Sequence, residues 1–374
     1  MTEPISSKES ECRPGRYGYT TGTYAAAATK GALTLLLGAE APGEVSLTLP
    51  GNDYPPATIP VTTQKTDATT ARCSVVKVSV EDNDATDNMK IIATVSLRGD
   101  SDIIIDGGVG IGRITKPGLQ LEIGQAAINP APRKMIKAVV RELTDRGVDI
   151  TISAPHGAEA AEATYNSRLG ILGGISIIGT TGIMRAKSAE SFKDTIRAQL
   201  TFCRKNNFTN IIITPGNISE EAMLTQFAGK VTKDHIIQSG DHLGFTLKLA
   251  KKAGLPFVLA GHPGKLAKTL NKDFQTHYSN SGPANEAVIN LIKEGLQDDI
   301  IEELQSSPTV EGITTVLLRN GLSPFIGKVA EKIAEEVGKY LGASAEIPII
   351  LFNMDKELIG ASGAGREWAK DNGR

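Results

Sequence analysis

The chain has 374 residues, with 40 Lys+Arg against 42 Asp+Glu and a formal net charge of −2. Hydrophobic residues at 40% and charged residues at 22% are ordinary globular values, which exclude a disordered, collagenous or fibrous chain, and the near-neutral balance argues against a general nucleic-acid binder. Two domains are expected at roughly 100–200 residues each, and the 39 glycines, about one residue in ten against a usual ~7%, point to many places of close backbone approach.

Residues 1–15 are polar and charged without an apolar stretch, so they read as a disordered tail and not as a secretory signal. No run reaches the roughly 18 apolar residues of a membrane span. Cys12, Cys73 and Cys203 are widely spaced without a CxxC, which fits a reducing cytoplasm. No His, Cys or Glu cluster has metal-ligand spacing, so no protein-held metal is expected.

Residues 23–37 (TYAAAATKGALTLLL) predict a helix stopped by Gly38. Residues 45–49, 73–80 and 89–97 are β-branched and partly alternating, separated by Pro/Gly/Asp/Asn turns, and 102–106 is a further short apolar run. A helix with proline near its start is expected over 130–146 and a strand over 148–153. This mixture predicts an α+β domain over 16–165. From 166 to 374 the pattern predicts an α/β domain. Short apolar strands at 175–178, 210–214, 235–238 and 256–260 alternate with helices at 188–206, 219–228 and 241–253. That rhythm implies parallel βαβ units in a doubly wound, Rossmann-like sheet. The chain beyond 274 is a mostly helical extension, with helices at 284–296, 298–305, 310–319 and 324–341 and a last strand at 347–352. Its pattern leaves open which domain it packs on.

The chemistry-bearing residues sit in loops. Thr20, Thr21 and Gly22 open the alanine-rich helix, and Thr180, Thr181 and Gly182 repeat the tripeptide after a predicted strand. Helix starts and strand carboxyl ends supply unpaired N–H groups, and threonine hydroxyls add donors; a plain helix cap is the alternative reading. The glycine-rich loop 106–113 lacks a following amphipathic helix and is a weak dinucleotide signal. It is better read as a close-approach loop carrying Arg113 and Lys116. With Arg133, Arg168 and Arg185, these cations lie in Gly/Pro/Asn loops, where a fixed fork can meet carboxylates. Structural ion pairs are the alternative. Gly216 and Asn217, the Ser239–Gly240–Asp241 turn, and the His262–Lys265 loop follow further apolar strands. His262 or His277 is the candidate proton acceptor.

Taken together, YGYTTGT…AAAA, DGGVGIGRITKPGL, AAINPAPRKMI, YNSRLGILGGISIIGTTGIMR, TPGN, and AGHPGKLAK followed by THY resemble, in order, the cobalt-precorrin-5B (C1)-methyltransferases of anaerobic cobalamin biosynthesis, the CbiD family. The resemblance runs from about residue 16 to 286 and continues weakly to the end. It implies methyl transfer from S-adenosylmethionine to C1 of cobalt-precorrin-5B, giving cobalt-precorrin-6A, with cobalt present only inside the substrate. Within that reading His262, His277 and Asp241 are the catalytic candidates. Thr20, Thr21, Gly22, Thr180, Thr181, Gly182, Gly216 and Asn217 would bind the cofactor. Arg113, Lys116, Arg133, Arg168, Arg185 and Lys265 would meet the acetate and propionate groups of the corrinoid precursor. Partners would be that small molecule and other enzymes of the pathway at hand-over, with no nucleic acid and no membrane. The chain departs from the family pattern at Tyr24, where Cys is usual, at 77–86, at Gln238–Gly240, and at Gly282 and Ala284. A divergent paralogue that acts on, or only carries, a related modified tetrapyrrole is the alternative.

Overall fold

The computed structural model describes residues 17–50, 54–80, 84–185, 189–277, 281–343 and 346–373. The expected tail at 1–15, with Cys12, lies outside these residues. The chain divides into two compact units, Met1–Ser188 and Ala189–Arg374, later than the 165/166 boundary expected from sequence.

The first unit is built from β1 (Tyr17–Tyr19), α1 (Thr21–Leu36), β2 (Glu44–Leu47), β3 (Ala57–Pro60), β4 (Thr62–Lys65), β5 (Thr70–Val76), β6 (Lys90–Leu97), β7 (Ile103–Gly107), β8 (Arg113–Ile114), α2 (Pro130–Leu143), β9 (Val148–Ser153), the short α3 (Gly157–Ala161), β10 (Ile171–Leu172) and β11 (Ile183–Arg185). Its five-stranded sheet runs β4-β5-β6-β9-β7, antiparallel except for β7 beside β9. Alternate residues are buried along β5 and β6, so one face of the sheet meets the core. That core is α1. Its Ala25–Ala28 are at most 1% exposed, and their small side chains let the helix lie close to the sheet while α2 packs beside it. At Gly31 a Cβ would stand 2.7 Å from Cys73 Sγ, so the helix rests directly on side chains of the sheet there. The strands β3 and β4 occupy a stretch whose prolines read as turns. Among the described residues β3 pairs only with β2, so Pro60 sits where a missing N–H is tolerated.

The apolar run at 175–178, expected as the first strand of a parallel series, makes only isolated bridges, Ile175 to Ile111 and Ile177 to Ile128. Both side chains fill the first unit's core. Glycines crowd this run, and Gly174 fits against the Gly110 carbonyl only because it has no Cβ, so the segment wraps around a loop and does not extend a ladder.

The second unit contains α4 (Ala189–Lys205), β12 (Ile211–Thr214), α5 (Asn217–Gln226), β13 (Ile236–Gln238), α6 (Leu243–Lys252), β14 (Phe257–Gly261), the one-turn α7 (Pro263–Leu266), α8 (Asn285–Ile292), α9 (Asp298–Ser306), α10 (Val310–Arg319), α11 (Ser323–Leu341), β15 (Ile349–Phe352), β16 (Leu358–Ala361) and α12 (Gly363–Asn372). The sheet order is β13-β12-β14-β15-β16, with the first four strands parallel and β16 antiparallel. The strands β12 and β15 are buried at every position, as strands covered on both faces must be. Side chains of α5 and α12 share a core with Ile212, Val258, Ile350 and Phe352. The C-terminal stretch therefore belongs to this unit, because β15 completes its parallel ladder. The chain is thus a mixed α/β protein with an α+β first unit.

Candidate functional site

In the first unit the two Thr-Thr-Gly segments meet each other. The Thr20 N–H donates to the Gly182 carbonyl at 3.0 Å and the Gly22 N–H to the Ile178 carbonyl at 2.9 Å. The Thr23 hydroxyl donates to Gly182 O at 2.7 Å, and Thr21 Oγ1 accepts from the Ile178 N–H at 2.9 Å. Thr20 caps α1 through the Thr23 N–H. A Cβ on Gly22 would lie 2.7 Å from Pro132, and one on Gly179, at φ +127°, would lie 2.1 Å from Thr20 Oγ1. These donors face the protein, so the segments form a clasp between the start of α1 and residues 178–182. Thr181 bonds weakly to its neighbour Ile183, whereas Thr180 is exposed.

The loop cations divide into two kinds. Arg113 grips both Asp106 oxygens at 2.8 Å and the Gly107 carbonyl at 2.8 Å. That fork holds the Asp106 carboxyl below its usual range. Arg133 donates to the carbonyls of Ile128 at 2.8 Å and Ile105 at 2.9 Å, with Ala126 O at 3.4 Å, and burial lowers its pKa. Arg113 braces the glycine-rich loop, and Arg133 ties the Ile105 carbonyl of β7 to the segment before α2. Arg168 lies over the Tyr165 ring at 5.3 Å, and Lys116 is half-buried. In β11 the backbone of Arg185 pairs with Tyr17 of β1, and the Arg185 side chain lies outside the described residues. Tyr24 is buried, and its hydroxyl accepts the Val78 N–H at 3.0 Å. Next to it Lys77, 1% exposed, pairs with Asp84 at 2.5 Å; part of that departure segment, 81–83, lies outside the described residues.

Sequence reasoning missed a cavity of about 600 Å³ in this unit, bounded by α1, α2 and residues 47–50, with Leu49, Pro50, Lys134, Ala138, Glu142 and Thr180 on its walls. Its one legible signal is the amphipathic pattern of α2, which places exposed residues between core ones.

In the second unit the loops after β12, β13 and β14 stand at the carboxyl ends of parallel strands, where such sheets bind ligands. Lys265 Nζ reaches Asp241 Oδ1 at 3.1 Å and the Pro215 carbonyl at 3.4 Å. The Thr276 N–H donates to the Asp241 carbonyl at 3.0 Å, and its hydroxyl lies 3.4 Å from Oδ1. Burial alone would raise the Asp241 carboxyl; the Lys265 ammonium, the charge of His277 and Thr276 together bring it below its usual range. Asp241, Lys265 and His277 therefore converge. His262 does not join them. Its Nδ1 accepts the Gly264 N–H at 3.0 Å, capping α7, and its Nε2 bonds Glu311 Oε2 of α10. Both ring nitrogens are thus engaged. Gly216 has nothing within 4 Å of where a Cβ would stand, and exposed Asn217 begins α5 without a side-chain cap. Gln238 donates to Asn217 Oδ1 at 2.7 Å and Glu220 Oε2 at 2.6 Å. Gln238 stood out only as part of a departure from the family pattern, and Glu220 and Glu311 carried no recognisable signal, since their partners come from other elements.

Among the described residues no three His, Cys, Asp or Glu side chains are grouped to hold a metal ion, and no helix is long and apolar enough to cross a membrane.

Two family models match the chain, one described as CbiD over residues 8–186 and one as CbiD, C-terminal domain, over residues 275–363. A protein of Priestia megaterium named cobalt-precorrin-5B C(1)-methyltransferase is 36% identical over 353 residues, covering 92% of this chain and 95% of that protein. A protein of the same name from Listeria monocytogenes serovar 1/2a is 35% identical over 354 residues, covering 93% and 94%. One from Geobacillus thermodenitrificans is 33% identical over 353 residues, covering 92% and 94%. A crystal structure of cobalamin biosynthesis protein (cbiD) from Archaeoglobus fulgidus is 25% identical, with a TM-score of 0.36 over 67% of this chain and 78% of that one.

Proposed function

The chain belongs to the CbiD family, and from that premise we propose that it transfers the methyl group of S-adenosylmethionine to C1 of cobalt-precorrin-5B, forming cobalt-precorrin-6A in anaerobic cobalamin biosynthesis. The observation that carries this reading is the extent of the likeness: identity of 36% spans 92% of the chain and so includes both units.

The ring carbon is the nucleophile. A C–CH₃ bond forms, the S–CH₃ bond breaks, and its electron pair leaves with the thioether sulfur. No protein nucleophile is needed, so positioning carries much of the rate. Asp241 and His277 are our candidates for holding or accepting a proton, because they lie together at the rim of the second sheet. His262 is the weaker candidate, with both nitrogens engaged. We assign substrate carboxylates to Lys265, whose side chain is 43% exposed beside that rim, with Lys116, Arg168 and Arg185 as further partners from the family loops. We read the second unit as Rossmann-like; its parallel order and the loops at its strand ends support this. Cobalt arrives within the substrate, and the reaction belongs to the cytoplasm, with hand-over to other enzymes of the pathway.

The test is to incubate the purified protein with cobalt-precorrin-5B and methyl-labelled S-adenosylmethionine and to follow product mass. One added labelled methyl at C1 is expected. An unchanged macrocycle, with no S-adenosylhomocysteine formed, would overturn the assignment.

A further inference from the structure

We propose that the methyl donor sits in the first unit, in the groove between α1, α2 and residues 47–50, and not on the Thr-Thr-Gly clasp. The inference rests on the methyltransferase reading above.

The clasp offers little to a ligand, since the N–H groups of Thr20 and Gly22 and the hydroxyls of Thr21 and Thr23 already have protein partners. The groove beside it is open. Its volume of about 600 Å³ lies within the ~300–1,000 Å³ usual for small-molecule sites. One wall is a single face of α2, where Ala131, Lys134, Ala138 and Glu142 recur at helical spacing. The two alanines keep that wall low. Ala26 of α1 and the Leu47–Pro50 segment supply the facing apolar surface, and exposed Thr180 adds a hydroxyl.

The charges are ordered along the groove. Lys134 and Glu142 are eight residues apart, roughly 12 Å along a helix rising 1.5 Å per residue. A cation thus stands toward one end and a carboxylate toward the other, with apolar surface between. Lys30 fixes the carboxylate, with its ammonium 2.8 Å from Glu142 Oε2 and 2.9 Å from the Ser46 carbonyl. S-adenosylmethionine has the complementary order: an α-carboxylate at one end for Lys134, and at the other an apolar purine on a ribose whose vicinal hydroxyls can donate to Glu142. The corrinoid precursor fits less well, because its many carboxylates would be brought against Glu142. The walls also draw on three separate family strings: Ala26 follows YTTGT, Lys134 lies in AAINPAPRKMI, and Thr180 lies in IIGTTG.

The test uses the full-length protein and calorimetric titration with S-adenosylhomocysteine, with labelled S-adenosylmethionine in equilibrium dialysis as a second measure. Ala138→Trp fills the groove and Lys134→Glu reverses its cation; both positions are exposed on α2, and melting curves confirm that the variants are folded. Each should weaken binding about tenfold or more, the scale of one charged hydrogen bond. If the wild type binds and both variants bind equally well, the groove is overturned while the methyltransferase reading stands. If the wild type binds neither ligand and transfers no methyl, both fall. Should Ala138→Trp fail to fold, Lys134→Glu decides alone.

Discussion

The guanidinium of Arg133 lies among backbone carbonyls, whereas its place in an Asn-Pro loop suggested a fork offered to substrate. Ile128 O, Ile105 O and Ala126 O surround it. Arg133→Ala would leave these acceptors without their charged donor. We expect a loss of about 2–4 kcal/mol, read as a lower urea midpoint, with ligand affinity of the folded protein little changed. Arg133→Lys should recover only part of the loss, because an ammonium cannot bridge carbonyls as a planar fork does. Unchanged stability in Arg133→Ala would return the residue to the substrate site. His262 carries the same lesson. Following an apolar strand, it looked like a free base; in the fold it caps α7 and pairs with Glu311 from α10. A residue's type and loop were readable from the chain, but its partner came from a distant segment.

At the scale of elements, the Thr-Thr-Gly repeat is best understood as a joint. Segments 20–23 and 178–182 are far apart in sequence, yet each supplies the other's hydrogen-bond partners. Thr21→Val should cost about 1 kcal/mol by removing the acceptor of the part-buried Ile178 N–H. Thr180→Val, at an exposed position, should stay within about 0.5 kcal/mol. Paired urea melts check this, and equal costs at the two sites would argue against the clasp. The glycine surplus has a similar origin. Gly110 has φ +76°, and a Cβ there would stand 1.7 Å from the Ala154 carbonyl; Gly157 and Gly174 press on the same turn. Much of the close approach is therefore protein backbone against protein backbone. Helices and strands were largely legible, because periodicity and Gly/Pro punctuation are local. The run at 175–178 was misread because a short apolar segment between glycines carries no information about which sheet, if any, it will join.

For the whole molecule, the decisive feature is the return of the chain's end into the second unit's sheet. β15 lies between β14 and β16, and α12 packs over it. Ending the chain at residue 343 would strip β14 of one neighbour and open the core shared by Phe352, Ile350 and Trp368. We expect such a truncation to aggregate or to lose the cooperative melt. A soluble, cooperatively melting protein ending at 343 would show that the parallel strands stand without β15. The sequence by itself determined most element types, the mixed α/β class and the family, since each depends on residue order over short windows. Only the tertiary structure decided which arginines are braces, that Asp241, Lys265 and His277 converge while His262 turns to Glu311, that the Thr-Thr-Gly loops close on each other, and that a groove opens beside them. Those outcomes depend on contacts between segments far apart along the chain, which local composition does not encode.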